Sequence, residues 1–171
     1  MTRFDPGTAL VVVDVQNDFA DPAGALVAYT QDWHPAHTPH FAPDGGIWPV
    51  HCVMDTWGAA LHPELALDGP VVRKGTNGED GYSGFTMRDP MGETTVSTAL
   101  AGLLRAHGVA SVVVCGLATE YCVLATALDA VELGFATSLL LDGVRAVDLA
   151  AGDGDRAIAR MAAAGVALIR A

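Results

Sequence analysis

The sequence predicts a three-layer α/β/α fold built on a mostly parallel sheet of six strands. Two observations support this prediction. Short runs of apolar, often β-branched residues recur along the 171 residues, and helical patterns separate the later runs. Near-continuous apolar strands are typical of a sheet that is covered on both faces. Strands that alternate with helices over short connections favour right-handed crossovers and therefore parallel strands.

Six apolar runs are predicted as strands because each of them ends at a polar residue or a glycine. They are residues 9–13, 25–30, 70–73, 111–115, 137–141 and 166–169. Three stretches with apolar residues at helical spacing are predicted as helices, and a glycine follows each of them, as is common at helix ends. They are residues 94–107, 121–133 and 155–164, with Thr119 as the expected N-cap of the second.

The composition is that of one folded domain spanning residues 1–171. Hydrophobic residues make up 51% of the chain and charged residues 17%, which excludes a disordered chain. The net charge of −11 argues against a nucleic-acid-binding surface and against anionic membranes as partners. No apolar run approaches the ~18–20 residues that span a bilayer, and the first run is too short for an export signal. Three widely spaced cysteines make no disulfide framework, so we expect a reduced, cytoplasmic protein.

Reactive side chains occur where several of the predicted strands end. In open parallel sheets, ligands bind beyond the carboxyl ends of the strands, so we expect these side chains to share one rim. They are Asp14, Asp32, His34, Lys74 and, in the segment 116–122, Cys122. Taken singly, each of them could equally be a helix cap or a surface group.

Cys122 is the candidate nucleophile. Backbone N–H groups at the start of its predicted helix would lower the thiol pKa and could hold an oxyanion. The alternative is a small buried hydrophobe, which is the interpretation favoured for Cys115. Asp14 is the best proton acceptor, because it follows an apolar strand and should be partly desolvated. Lys74, the only lysine in the chain, could couple these charges or could be an ordinary surface lysine.

Four of the six histidines occur between residues 34 and 51. Asp32 and His34 are two residues apart, so on an extended chain their side chains point to the same side. His40 and His51 would join them from a loop rich in proline and glycine. Imidazole and carboxylate ligands suit Zn²⁺, Fe²⁺ or Mn²⁺ better than Ca²⁺ or Mg²⁺, so one divalent ion is expected, with zinc as the first choice. The alternative is a set of solvated loop histidines.

Five motifs occur in order along the chain. They are Val-Asp-Val-Gln-Asn-Asp-Phe at 13–19, Thr-Gln-Asp-Trp-His-Pro at 30–35, Trp-Pro-Val-His-Cys at 48–52, Lys-Gly at 74–75 with Gly-Tyr-Ser-Gly-Phe at 81–85, and Gly-Leu-Ala-Thr-Glu-Tyr-Cys-Val at 116–123. Together they resemble the nicotinamidase/pyrazinamidase branch of the isochorismatase-like cysteine hydrolases. The resemblance covers most of the chain and implies the Rossmann-like fold of that family. The Asp-Trp-His motif with a downstream His-Cys favours this branch over isochorismatases and carbamoyl amidases.

The resemblance implies a carboxamide hydrolase with a triad of Cys122, Asp14 and Lys74. Cys122 would attack the carboxamide carbon to form a thioester, and Asp14 would pass the thiol proton to the leaving ammonia. Lys74 would stabilise the charged cluster. A cis peptide before Ala118 would turn the Ala118 N–H toward the oxyanion, beside the N–H of Cys122. The implied reaction converts nicotinamide, and with it pyrazinamide, to the acid and ammonia, and contributes to NAD salvage.

The resemblance also implies a metal site and a pocket for an aromatic ring. In the family, the metal holds the pyridine nitrogen of the substrate. The residues that match its ligands are Asp32, His34 and His51, with His40 matching a histidine found in only part of the branch. The residues that match the pocket are Phe19 and Trp48, which would sandwich the ring, and Tyr82 and Tyr121 beside it. The implied partner is therefore a small-molecule carboxamide.

The chain departs from the family between Asp14 and Asp32. Seventeen residues lie between these two positions, where the family has a glycine-bearing loop and a complete helix. A crossover between parallel strands takes at least ~10–12 residues with its helix, and residues 15–24 show no helical stripe. We therefore expect the first crossover helix to be missing. A smaller departure is Glu120, where the family more often has Asp.

Several interpretations of the function stay open. The first is a working amidase whose open sheet face is covered by a partner subunit, in a homo-oligomer, or by an altered loop. The second is a catalytically impaired family member that acts as a binding protein, and the third is a family hydrolase of another small amide. A fourth is a metal-dependent hydrolase in which the ion activates water and Cys122 is structural. The complete set of triad and ligand residues favours the first.

Overall fold

Six parallel strands form the central sheet of the computed structural model, which describes residues 7–13, 26–65, 67–89, 91–92 and 94–170. The strands are β1 (Thr8–Val13), β2 (Leu26–Asp32), β3 (Val71–Lys74), β4 (Thr86–Arg88), β5 (Thr95–Ser97), β6 (Ser111–Leu117), β7 (Ala136–Arg145) and β8 (Ala167–Ile169). The order in the sheet is β3-β2-β1-β6-β7-β8, while β4 and β5 form a separate antiparallel pair. The predicted α/β class with a mostly parallel sheet is confirmed.

Helices occupy the connections in the second half of the chain. They are α1 (Leu100–Ala106), a π-helical turn (Thr119–Val123) that continues into α2 (Leu124–Glu132), and α3 (Asp153–Ala163). The long connection between β2 and β3 contains two short 3₁₀ turns, Ala42–Asp44 and Trp57–Ala59. No helix in the described part of the chain is long and apolar enough to cross a lipid bilayer.

The helix predicted for residues 94–107 is wrong at its beginning. Residues Thr95–Ser97 form β5 and pair with β4, and α1 begins only at Leu100. Threonine and valine fit a pleated strand better than a helix, and a partner strand lies close by in the chain. Thr98 marks the change, because its hydroxyl donates to the Gly84 carbonyl and accepts from the Leu100 N–H. The spacing of apolar residues alone could not reveal this pairing.

All three α-helices pack on one face of the sheet. Alternate strand residues, among them Val11, Val112 and Val114, form a single cluster with buried residues of α1, α2 and α3. The opposite face carries a smaller cluster, against which Leu65 and Ile169 pack. Its buried members are Val27, Tyr29, Val113, Cys115 and Leu140.

The predicted helical layer over this second face is not found among the residues that the structure describes. The connection between β2 and β3, which contributes Leu65 to this side, forms turns in place of a helix. Residues 15–24, on which the prediction of a missing crossover helix depends, lie outside the described residues.

The carboxyl ends of neighbouring strands bring several candidate residues together. Asp32 is the last residue of β2, Lys74 is the last residue of β3, and the two are partners in register. β6 ends at Leu117, after which the chain turns into the helical segment that contains Cys122. These three side chains therefore share one rim, as expected for a parallel sheet. Asp14 lies outside the described residues.

Candidate active site and metal centre

Lys74 lies fully buried beneath the site, with 0% of its side chain exposed. Its Nζ atom donates to Asp32 Oδ1 at 2.5 Å and lies 3.6 Å from Cys122 Sγ. An ammonium group removed from water is costly unless it is paired, and the Asp32 carboxylate offsets that cost. The alternative of an ordinary surface lysine is therefore wrong. Lys74 instead couples a carboxylate to the candidate nucleophile.

Asp32 is an ionised carboxylate that links the lysine to the histidines. Burial is the largest single influence on the Asp32 carboxyl and raises its pKa, whereas the charge and the hydrogen bond of Lys74 lower it. Smaller contributions from His34 and His51 act in the same direction, so the pKa lies below its usual value. The oxygen that accepts from Lys74 lies 4.0 Å from His34 Nε2.

The helical segment that carries Cys122 begins with Ala118 as its N-cap. The Ala118 carbonyl accepts hydrogen bonds from the N–H groups of Tyr121 and Val123, at 3.0 and 3.2 Å. Thr119, which was expected as the N-cap, is instead the first helical residue, and its side chain is buried. The prediction is off by one residue because a backbone carbonyl, and not the threonine hydroxyl, organises this turn. Cys122 still lies in the first turn, as expected.

The peptide bond between Leu117 and Ala118 is cis, as the resemblance implies. Ala118 and Cys122, the two residues expected to form an oxyanion hole, both line the pocket described below. They lie four positions apart, on either side of the turn from β6 into the helical segment.

Cys115, in the strand that leads to the Cys122 segment, is made unreactive by its environment. It is 2% exposed within the sheet, and burial raises its thiol pKa to about 12. A thiol with so high a pKa stays protonated at neutral pH and is a poor nucleophile. The interpretation of Cys115 as a small buried hydrophobe is confirmed, whereas Cys122 is only partly buried at a pocket wall.

Three histidine rings from the connection between β2 and β3 gather into one cluster. The ring centroid of His34 lies 4.8 Å from that of His40 and 5.2 Å from that of His51, and those of His40 and His51 are 5.4 Å apart. Their ligand atoms all lie within 4.8 Å of one another. The structure thus brings three of the four predicted ligands together, with Asp32 next to them. His37 stays outside this histidine cluster, exposed beside Asp44.

The histidine cluster fits a divalent ion with nitrogen ligands. His34 is 1% exposed, and burial lowers its pKa to about 4, so at neutral pH the ring keeps a lone pair. Its Nδ1 atom is buried without a hydrogen-bond partner among the described residues. The Nδ1 atoms of His40 and His51 lie 2.6 Å from Asp80 Oδ1 and 2.8 Å from the Pro49 carbonyl, which leaves Nε2 of each ring for an ion. Imidazoles beside a carboxylate suit Zn²⁺, Fe²⁺ or Mn²⁺.

Gly75 lets the backbone come close to the histidine cluster. Its φ angle is +73°, and a Cβ atom at this position would lie 2.5 Å from two atoms of the His34 ring. A glycine is therefore required on both grounds. This close approach explains why glycine follows Lys74 in the fourth motif.

A pocket of about 270 Å³ lies between the histidine cluster and Cys122. Trp48, Tyr82 and Tyr121 line it as well, as the resemblance implies. Trp48 Nε1 donates to the Tyr82 hydroxyl at 2.6 Å, and the Trp48 and Tyr121 rings meet edge to face with centroids 4.8 Å apart. A volume of this size suits a small molecule with one ring. Phe19, the other residue expected here, lies outside the described residues.

A second cavity, of about 600 Å³, lies on the other side of Cys122. Asp32, Ala118 and Cys122 line both spaces. The remaining wall of the second cavity comes largely from the turn around Trp57 and from Leu65, on the sheet face where the described residues form no α-helix.

Three residues, Asp80, Glu120 and Val147, were not predicted from the sequence as part of the site. Asp80 bonds His40, and Glu120 Oε1 accepts from the N–H groups of Val147 and Asp148 at 2.8 and 2.7 Å. Val147 in turn lines the pocket. Glycines around Asp80 indicate a loop, but nothing in the sequence pairs it with a histidine 40 positions away. Glu120 stood out only as a departure from Asp.

The chain is similar in sequence to proteins named as nicotinamidases. A family model described as Isochorismatase domain matches residues 20–171. The nicotinamidase of Escherichia coli is 34% identical over 205 residues, covering 95% of this chain and 94% of that protein. The nicotinamidase/pyrazinamidase of Mycobacterium tuberculosis is 37% identical over 163 residues, covering 78% of this chain and 84% of that protein.

Solved structures of the same fold carry similar names. The pyrazinamidase of Pyrococcus horikoshii, in complex with zinc, has a TM-score of 0.83 and 36% identity, covering 97% of this chain and 100% of that chain. PnC1 of L. infantum, in complex with nicotinate, has a TM-score of 0.84 and 34% identity, covering 99% of this chain and 96% of that chain.

Proposed function

The chain belongs to the isochorismatase family, in its nicotinamidase/pyrazinamidase branch, and we propose from this membership that it hydrolyses nicotinamide and pyrazinamide. It is an amidohydrolase that acts on a carboxamide. The observation that carries the proposal is the contact of buried Lys74 with Cys122, 3.6 Å from Nζ to Sγ, at a pocket whose far wall is the histidine cluster. A pyridine carboxamide would fit this arrangement, because its carboxamide carbon would face the nucleophile while its ring nitrogen faces the metal site on the opposite wall.

Cys122 is the nucleophile in the proposed reaction. Its Sγ atom attacks the carboxamide carbon, and Asp14 takes the thiol proton and passes it to the leaving nitrogen. The C–N bond then breaks, ammonia leaves, and the acyl group stays on Cys122 as a thioester. Water then adds to the thioester carbon and gives a proton to Asp14. The C–S bond breaks, the carboxylic acid leaves, and the proton returns from Asp14 to Cys122.

Charge is stabilised by fixed groups around this sulfur. The Lys74 ammonium, held by Asp32, lies where a thiolate forms in each half of the reaction. The N–H groups of Ala118 and Cys122 bind the oxyanion. Because these groups are held by strand ends and a helix start, they need little reorganisation during the reaction.

The same pocket would hold the ring of the substrate. His34, His40 and His51, with Asp32, would hold a divalent ion that supplies a Lewis-acid contact for the ring nitrogen. Zinc is the proposed ion, supported by the donor set and by the zinc complex of the Pyrococcus horikoshii pyrazinamidase. Trp48, Tyr82 and Tyr121, with Phe19, would bind the ring faces and edges. Because nicotinate is the product, the proposed cellular role is NAD salvage.

Ammonia release from nicotinamide tests this function. We expect release by the metal-loaded chain and a loss of more than about 1,000-fold in kcat for Cys122→Ala, because this change removes the sulfur atom on which the thioester forms. Cys115→Ala is the matched control and should keep its activity, since Cys115 is buried away from the pocket. Treatment with a chelator should lower activity, and added Zn²⁺ should restore it.

Trapping with hydroxylamine distinguishes the thioester from direct attack by water. A thioester on Cys122 partitions between water and hydroxylamine, so the hydroxamate of nicotinate should form with the parent chain and not with Cys122→Ala. Activity that survives Cys122→Ala would favour the metal-activated water interpretation. No release by the metal-loaded parent chain would remove nicotinamide as the substrate.

A further inference from the structure

Asp80 and His40 form a carboxylate–imidazole pair behind the histidine cluster. The His40 Nδ1 atom lies 2.6 Å from Asp80 Oδ1, and the His40 side chain is buried. The two residues are 40 positions apart, so the pair joins the β2–β3 connection to the loop that follows β3. The contact with Asp80 occupies Nδ1 of the His40 ring, so Nε2 is the nitrogen left to bind an ion.

Backbone contacts hold Asp80 itself in place. The Asp80 N–H donates to the Arg88 carbonyl at 2.7 Å, and the Asp80 carbonyl accepts from the Arg88 N–H at 3.0 Å. This antiparallel bridge ties the loop to β4. The carboxylate that meets His40 therefore projects from a fixed segment of backbone.

His40 is tied to the same loop by its own backbone. Thr38 Oγ1 donates to the Gly78 carbonyl at 2.7 Å and accepts from the His40 N–H at 3.2 Å. On its other side, the His40 ring stacks on His34 with an interplanar angle of 17°. The ring is thus held by a hydrogen bond at one nitrogen and by stacking on its face, which leaves Nε2 for an ion.

We propose that Asp80 is a positioning residue of the metal centre, which fixes the tautomer and direction of His40 so that Nε2 binds the same ion as His34 and His51. This inference rests on the metal site within the proposed function. It also assigns His40 as a ligand in this chain. A carboxylate partner makes an imidazole more basic and better oriented, and loss of such a partner typically weakens metal binding about 10–100-fold.

Metal titration tests the inference without relying on activity. Chelator-treated, metal-free protein is titrated with Co²⁺ while its visible d–d absorption is recorded, and Zn²⁺ is then added in competition. Asp80→Ala should bind both ions about 10–100-fold more weakly than the parent chain, with a changed Co²⁺ spectrum. His40→Ala should show a loss of at least the same size. Asp80→Asn, which keeps an acceptor oxygen but not the charge, should fall between Asp80→Ala and the parent.

A chain that carries both Asp80→Ala and His40→Ala distinguishes a positioning role of Asp80 from general damage to the fold. If Asp80 acts through His40, Asp80→Ala should cause no further loss of affinity in a His40→Ala background. His37→Ala and Asp89→Ala are the control variants, because His37 lies in the β2–β3 connection beside Asp44 and Asp89 follows β4, where it accepts from the Met91 N–H. Both controls should bind metal as the parent does.

Two results would overturn the proposal. One is parent-like affinity in a folded Asp80→Ala or Asp80→Asn chain, as judged by circular dichroism. The other is a loss of affinity from Asp80→Ala that is equally large with and without His40. Amide hydrolysis by the parent chain is measured separately, so either result leaves the proposed function standing. Failure of the parent chain to bind Co²⁺ or Zn²⁺ would overturn both this inference and the metal role.

Discussion

At the scale of single residues, Gly75 affects the molecule in two separable ways. Its positive φ angle is strained for any residue with a side chain, and its missing Cβ leaves room for the His34 ring. Gly108 has nearly the same φ angle, +68°, but no atom lies within 4 Å of the position of its Cβ. The two glycines therefore separate backbone strain from the contact with His34.

We expect Gly75→Ala to lower zinc affinity by at least about tenfold, because the new methyl group pushes the His34 ring out of the histidine cluster. Gly108→Ala should lower the free energy of unfolding by about 1–2 kcal/mol and leave metal affinity unchanged. Competition with a chromophoric chelator measures the affinity, and thermal unfolding measures the stability. Equal zinc affinities for Gly75→Ala and Gly108→Ala would contradict the proposed contact.

At the scale of elements, Glu120 joins the turn that carries Cys122 to the connection between β7 and α3. Glu120 Oε1 accepts from the N–H groups of both Val147 and Asp148, and Val147 forms part of the pocket wall. Asp148 Oδ1 in turn accepts from the N–H of Gly154 in α3. One carboxylate thus holds a loop, a pocket residue and a helix start in a fixed relation to the nucleophile.

Removal of the Glu120 carboxylate should weaken substrate binding at the pocket wall more than it slows the chemical step. We expect Glu120→Ala to raise KM for nicotinamide about tenfold with a smaller change in kcat, since hydrogen bonds to a charged group contribute ~1.5–3 kcal/mol each. Glu120→Gln keeps an acceptor oxygen and should restore most of the lost affinity. Steady-state kinetics of the three chains measure both constants.

Asp153→Ala is the matched control for this element. Asp153 Oδ2 accepts from the Ala150 N–H in the same connection, whereas the Val147 N–H donates to Glu120. Loss of Asp153 should leave KM unchanged. An unchanged KM in a folded Glu120→Ala chain, or an equal rise in Asp153→Ala, would show that Val147 is not held through Glu120.

At the scale of the whole molecule, the two faces of the sheet are covered differently, and this raises the question of whether a partner subunit must cover one of them. The three α-helices found among the described residues lie on one face, yet the five members of the cluster on the other face are at most 5% exposed within the single chain. A partner subunit is therefore not needed to keep these side chains from water. This argues against the form of the amidase interpretation that requires a covering subunit.

Activity and stability should accordingly be independent of protein concentration. An enzyme that is complete only as an oligomer loses activity on dilution, and its Tm rises with concentration. We expect the same specific activity and the same Tm across a wide dilution series, with sedimentation velocity reporting the assembly state in parallel. A loss of activity that accompanies dissociation would instead support the covering subunit.

Local composition was enough to predict the strands of the sheet and the residues at their ends. Asp32 and Lys74 could be expected at one rim because each stands where an apolar run stops, and the parallel sheet brings them into register. The same logic failed at Thr95–Ser97, where a helical spacing of apolar residues concealed a strand. Pairing with β4 decided that segment, and a pairing between strands is not a property of either strand alone.

The sequence by itself thus determined the parallel α/β class, the reactive rim and the histidines able to bind a metal ion, because apolar runs and residue chemistry are local properties. Only the tertiary structure decided that Lys74 is buried against Cys122, that His40 meets Asp80, and that Glu120 holds Val147. Each of these contacts joins residues at least 27 positions apart. Their energies depend on burial and direction, which exist only once the loops have been brought together by the folded sheet.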